Sequence, residues 1–190
     1  MLQFEIKTHF FRSKDVEVYY QVPERVWPAM DEFENEVVRI EFFYLGNLLW
    51  QKEFNVLRLP ARNSFGHPID FISEKMLIAT VGSKVIVLEN STGKDIEIFN
   101  CPTGFIHSVK AITKTRFCIL FNRAWRAPYK VAMLLLNGEI EWERDASYSQ
   151  GDSFINLRVE EKTIILQTWN SYLIHLDFNG NELKRINLIK

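Results

Sequence analysis

Four of the chain's eight glycines, Gly46, Gly93, Gly138 and Gly180, stand 47, 45 and 42 residues apart, each between two strand-like runs. Glycine reaches positive φ without steric cost, so a recurring glycine in this setting marks a recurring tight turn. The segments 37–54, 84–99, 130–144 and 172–186 each carry a β-branched or aromatic-rich strand, a turn and a second, more amphipathic strand. Asn-Gly occupies two of the turns and Thr-Gly a third, the dipeptides that hairpin turns favour. One hairpin is therefore written four times.

Two further strand candidates precede each hairpin: 67–73 and 75–81, then 105–112 and 116–122, then 153–159 and 162–168, separated by polar breaks at Glu74, Lys114 and Glu160-Glu161. The first unit has candidates at 2–6 and 16–22, with a longer connection between them. A period of 42–47 residues holding four antiparallel strands is the spacing of β-propeller blades. The expected fold is all-β, a single domain over 1–190 made of four antiparallel four-stranded units in a closed four-bladed or a partial propeller; stacked β-sheets built from the same hairpins are the alternative. All six prolines fall in connections, where a missing N–H breaks no ladder. The best helical stretch, residues 25–35, is short and interrupted by Pro28.

Two of the hairpins continue past the turn as Gly46-Asn47-Leu48-Leu49-Trp50 and Gly138-Glu139-Ile140-Glu141-Trp142, with Ile98 and Lys184 near the corresponding place in the other two. In this pattern the units resemble quinoprotein-like propeller repeats. That resemblance implies the propeller fold, and it implies no activity, since propellers host enzymes and binding modules alike. No Trp-Asp dipeptide or Gly-Gly pair points to WD40 or kelch repeats.

With 23 Lys and Arg against 24 Asp and Glu, the net charge of −1 supplies no drive toward nucleic acid or an anionic membrane. The N-terminal residues MLQFEIKTHFFRSK lack the apolar core of a signal peptide, and no apolar run approaches a bilayer span, so the expected location is cytoplasmic. Cys101 and Cys118 have no metal-ligand spacing and read as reduced and passive. No GxSxG, P-loop, GxGxxG or HExxH pattern is present, and neither a catalytic residue nor a cofactor is expected.

If the strands of each unit run A to D outward from an axis, the B–C and D–A connections share one end and hold every long segment, which is where binding residues concentrate. Trp27, Trp125 and Trp169 fall in B–C connections, whereas Trp50 and Trp142 sit on D strands and are expected to pack between units. Arg123, Trp125 and Arg126 form the densest cluster of interface-favoured residue types, and Arg62 adds charge to the same end. Basic loops there face acidic ones, which suits a protein partner better than a nucleic-acid groove. The leading expectation is a non-catalytic protein-binding module, in its sharpest form an immunity protein that neutralises a toxin enzyme. The alternative is a small metal-assisted hydrolase or carbohydrate-binding propeller using His67, Asp152 and Asn170, with Trp169 as a stacking platform.

Overall fold

The computed structural model describes residues 5–24, 36–56, 66–124, 127–146 and 152–189. These form four sheets, each of four strands hydrogen-bonded in chain order and antiparallel throughout. The first contains β1 (Glu5–Ser13), β2 (Val16–Glu24), β3 (Glu36–Tyr44) and β4 (Asn47–Val56). The second contains β5 (Ile69–Ser73), β6 (Met76–Val81), β7 (Lys84–Glu89) and β8 (Asp95–Asn100). The third contains β9 (Phe105–Ala111), β10 (Arg116–Asn122), β11 (Lys130–Leu135) and β12 (Ile140–Asp145), and the fourth β13 (Phe154–Glu160), β14 (Thr163–Thr168), β15 (Tyr172–Leu176) and β16 (Glu182–Asn187). The expected all-β, four-unit propeller arrangement is the observed one. The segment 25–35 lies outside the described residues.

Two boundaries differ from the sequence reading. β2 continues to Glu24, so Pro23 lies within a strand, opposite Ile6 of β1 and beyond the point where β3 pairs with β2, rather than in a connection. In the first unit β1 runs to Ser13 and meets β2 through the two-residue turn Lys14-Asp15, so the connection is short rather than long. Residues 8–13 read poorly as a strand because this sheet is terminal and polar residues share its outer strand with Phe10 and Phe11. Their alternation emerges only once Phe11 is seen to pack on the cluster shared with the second sheet.

The inner sheets bury both faces, which explains why their strands are nearly continuous apolar runs. In the second sheet Leu77, Ala79, Ile86 and Leu88 face the first sheet, while Ile78, Val85 and Val87 face the third. In the third, Phe117, Ile119 and Phe121 face back, while Cys118, Leu120, Val131 and Met133 face the fourth. Three apolar clusters thus join first to second, second to third and third to fourth. Among the described residues, none joins fourth to first.

The repeated glycines have a second role beyond their positive φ of 68–89°. A Cβ at Gly93 would lie 2.7 Å from the Trp50 ring, and one at Gly180 would lie 2.8 Å from that of Trp142. Each indole therefore lies flat on the turn of the next sheet, and its Nε1–H donates to that turn: Trp50 to the Asn90 carbonyl at 2.8 Å, Trp142 to the Phe178 carbonyl at 3.0 Å. Trp50 also stacks on Phe42 at 5.2 Å between centroids. At the middle joint the Ile98 carbonyl approaches Gly138 just as closely. The expectation that Trp50 and Trp142 pack between units is met. Trp50→Ala leaves both a cavity and an unpaired carbonyl, and should lower the unfolding free energy by about 3–5 kcal/mol, read by urea denaturation followed by circular dichroism.

Candidate functional site

Antiparallel pairing in chain order sends alternate turns to opposite ends of the sheets. One end carries minimal turns: Lys14-Asp15, Leu45-Gly46, Glu74-Lys75 and Glu161-Lys162. The other carries the B–C and D–A connections, including residues 101–104, 123–124, 127–129 and 169–171. A cleft of about 600 Å³ opens at this second end, lined by Phe54, Val56, Val81, Lys84, Pro102 and Phe105. Its walls come from three sheets, so no local sequence pattern announces it.

Of the residues singled out for partner contact, Trp27, Arg62, Trp125 and Arg126 lie outside the described residues. Trp169 opens the turn between β14 and β15, where its backbone N–H donates to the Ser153 carbonyl at 2.9 Å while its side chain is 68% exposed. The turn is tied by hydrogen bonds, the Asn170 N–H donating to Asp152 Oδ1 at 3.2 Å and the Ser171 N–H to the Thr168 carbonyl at 3.2 Å. A large apolar ring is thus fixed on a rigid base and turned to solvent.

Arg123 is exposed as well, but its guanidinium is already engaged. It donates to both carboxylate oxygens of Glu143, through Nε at 3.3 Å and through Nη2, and sits 5.5 Å from the Phe121 ring centroid. Lys130 donates to the same carboxylate at 2.9 Å and pairs with Asp145 at 2.8 Å. Hydrogen bonds to Asp145 and Glu143 hold the Lys130 pKa above its ordinary value. The basic and acidic residues at this end are therefore interleaved on the third sheet rather than segregated into patches.

The structure brings Asp152 and Asn170 together and places His67 in a separate hydrogen-bonded group. Asp152 is buried, with Oδ1 accepting from the Ser153 N–H at 2.9 Å and from Asn170, and with Oδ2 lacking a hydrogen-bond partner among the described residues. The His67 N–H donates to Ser108 Oγ at 3.2 Å, and its carbonyl accepts from the Val109 N–H. Among the described residues no group of three or more His, Cys, Asp or Glu side chains is placed to hold a metal ion.

His107, which the sequence left as one of four scattered histidines, is buried in this region and held by close contacts. Its ring meets Ser108 Oγ at 2.8 Å and the edge of Tyr129 at 5.2 Å, and Gly66 packs so closely that a Cβ there would fall 2.3 Å from the His107 carbonyl. Burial, aided by the nearby His67, pushes the His107 pKa from 6.5 down to about 4, and burial also lifts the Tyr129 phenol to about 12. His67 is lowered by burial too, with Lys110 adding to the effect. The only hint in sequence was a polar His-Ser pair inside the strand-like run 105–111.

A histidine with a depressed folded pKa binds fewer protons folded than unfolded, so stability rises with pH through the interval. The His107 contribution is complete above pH 6.5 and is lost as the pH falls toward 4. About 3 kcal/mol is at stake. Urea denaturation between pH 7 and pH 4 should show a smaller loss of stability in His107→Gln than in the wild type; carboxylate titration, common to both, cancels in the difference.

No family model matches the sequence, and no curated protein matches it. Similarity appears in structure alone. The chain aligns over 97% of its length with the WD40 β-propeller domain of Doa1 at a TM-score of 0.55 and 10% identity, covering 69% of that chain. It aligns over 94% with the computationally designed Ika8 protein, also at 0.55 and with 11% identity, and spans 60% of that chain. A chain of a mitotic checkpoint complex aligns over 65% of this one at 0.52 and 8% identity, with 38% of its own length covered. At these identities the likeness shows the fold: four blade-like sheets that follow part of a longer propeller.

Proposed function

We propose that the protein is a non-catalytic protein-binding scaffold that presents its long-loop end to a protein partner. The observation that carries this reading is Trp169, 68% exposed on a turn that backbone and Asp152 hydrogen bonds hold in place. A rigid aromatic ring costs little conformational entropy to bury, which is why Trp dominates interface energetics. The packed indoles of Trp50 and Trp142 make the contrast sharp, and they also support the quinoprotein-like reading of the repeat. Arg123, engaged by Glu143, contributes a positioned cation to the same end. Among the solved structures it resembles in fold is a chain of a mitotic checkpoint complex, and membership of a protein complex is the kind of role proposed here.

The sharper form of the proposal is that the partner is a toxin enzyme whose active site this end covers. Affinity capture from the native source, with wild type and Trp169→Ala run side by side, is the test. A stoichiometric protein should be retained by the wild type, and Trp169→Ala should weaken its binding by about 2 kcal/mol or more while leaving thermal unfolding unchanged. Retention of the same protein by both, at equal affinity, would place the interface elsewhere. Inhibition of the captured partner's catalytic activity at equimolar ratio would identify it as a toxin enzyme.

A further inference from the structure

The cleft at the long-loop end is lined from the first, second and third sheets, so its shape is set by joints within the stack. One wall is the connection that leads into β9. There the Cys101 N–H donates to the Ser83 carbonyl at 2.8 Å and the Ile106 N–H to the Gly82 carbonyl at 3.0 Å, which ties the β6–β7 turn and this connection into one piece. The Gly104 N–H closes on the Cys101 carbonyl, the Phe105 N–H donates to Asn122 Oδ1 at 2.7 Å, and the Thr103 hydroxyl donates to the Arg123 carbonyl at 2.6 Å. Gly104 fits only because it lacks a side chain, since a Cβ there would fall 2.0 Å from the Asn122 carbonyl oxygen. A wall tied in this way is in place before a ligand arrives, which lowers the ordering cost of binding.

The opposite wall is the last four residues of β4. Successive strand residues point to opposite faces, so a cavity over one face touches every second residue. Glu53, Phe54, Asn55 and Val56 all line this one. The cleft therefore runs along the edge of β4, which is the last strand of its sheet, with no strand hydrogen-bonded beyond it among the described residues. The main chain of such an edge can pair with another extended chain.

Between the walls, Val56, Val81 and Phe105 form a buried apolar floor. On the second sheet's side stands Lys84, paired with Glu97 at 2.7 Å, and on the first sheet's side Glu53, whose Oε1 takes both Arg39 donors. These four side chains are 42–48% exposed, and ion pairs so exposed contribute little, so a ligand's own charges can replace a partner in either at small cost. No hydrogen bond or ion pair engages the Asn55 side chain among the described residues, which leaves a donor and an acceptor beside the edge. A nucleic acid would find one lysine already facing an acid, and a lipid chain would meet charged groups on two walls. An extended polypeptide matches the edge, the floor and both charges.

Resting on the reading of the long-loop end as a protein-binding surface, we propose that the cleft receives an extended segment of the protein partner. The segment adds to the free edge of β4 at residues 53–56, seats one apolar side chain on Val56, Val81 and Phe105, and carries an acidic residue toward Lys84 and a basic residue toward Glu53. Main-chain pairing supplies affinity common to any sequence, while the apolar seat and the two charges select among sequences. Trp169 lies on the fourth sheet, so the exposed indole and the cleft are separate contacts of the same end.

Selection of a phage-displayed library of random linear peptides on the immobilised full chain tests this without the native partner. Enriched sequences should share an apolar residue flanked by an acid and a base, and the most enriched, synthesised and titrated by fluorescence anisotropy, should bind one to one. Lys84→Glu should weaken that peptide by about fivefold to tenfold. Thr103→Arg, which sets a long side chain at the cleft, should abolish its binding; both positions are exposed, and thermal unfolding should stay close to that of the wild type. N-methylation of alternate peptide nitrogens should abolish binding in one register and spare it in the other, because only every second N–H of an added strand faces the edge. No enriched sequence, enriched sequences without the apolar and charged pattern, binding unmoved by Lys84→Glu and Thr103→Arg, or equal tolerance of N-methylation in both registers would each overturn the proposal. Trp169→Ala should leave the peptide's affinity unchanged. A chain that captures its partner through Trp169 and selects no peptide therefore fails this proposal alone.

Discussion

At the first and third joints the contact that brings the sheets closest is an indole lying on the turn glycine of the neighbouring sheet, and at the middle joint the Ile98 carbonyl takes that place against Gly138. Trp50 on Gly93 and Trp142 on Gly180 leave no room for a Cβ, and each N–H finds a carbonyl in the turn it covers. The glycine is thus required twice, by the positive φ of the hairpin and by the close approach of the ring. A hairpin that needs glycine for its own turn also becomes a seat for the preceding sheet, which couples local turn chemistry to the long-range arrangement.

Two-sided burial follows from that stacking. The second and third sheets have apolar residues on both faces, whereas the first and fourth have one apolar face and one mixed face on which Arg39 pairs with Glu53, and Arg158 approaches Glu160. Polar residues on a terminal face keep an open stack from pairing indiscriminately.

Function, on the reading proposed here, is carried by the end where connections are long. The ion pairs of Arg123, Lys130, Glu143 and Asp145 make that end electrostatically mixed, and the buried Asp152 and the His67, His107 and Ser108 group stiffen the strands beneath it. Rigid support under an exposed Trp169 keeps the ordering cost of binding low.

The four hairpins and their turns at Gly46, Gly93, Gly138 and Gly180 were legible in the sequence because each rests on contacts within one unit, and the packing of Trp50 and Trp142 between units because the same residue type recurs at one position on the fourth strand of two of them. The boundary of β1 was not, because a terminal sheet mixes polar and apolar residues where inner sheets do not. Nor was His107, whose burial depends on Gly66 and Tyr129 reaching it from other connections. The sequence on its own determined the period, the antiparallel hairpins and the all-β class, since those depend on residues a few positions apart. Only the tertiary structure decided that no apolar cluster joins the fourth sheet to the first among the described residues, that Arg123 is held by Glu143 while Trp169 is turned to solvent, and that His107 is buried beside Gly66 and Tyr129. Those outcomes depend on residues roughly 20 to 40 positions apart that meet only when strands and connections are assembled, and no local pattern encodes such a meeting.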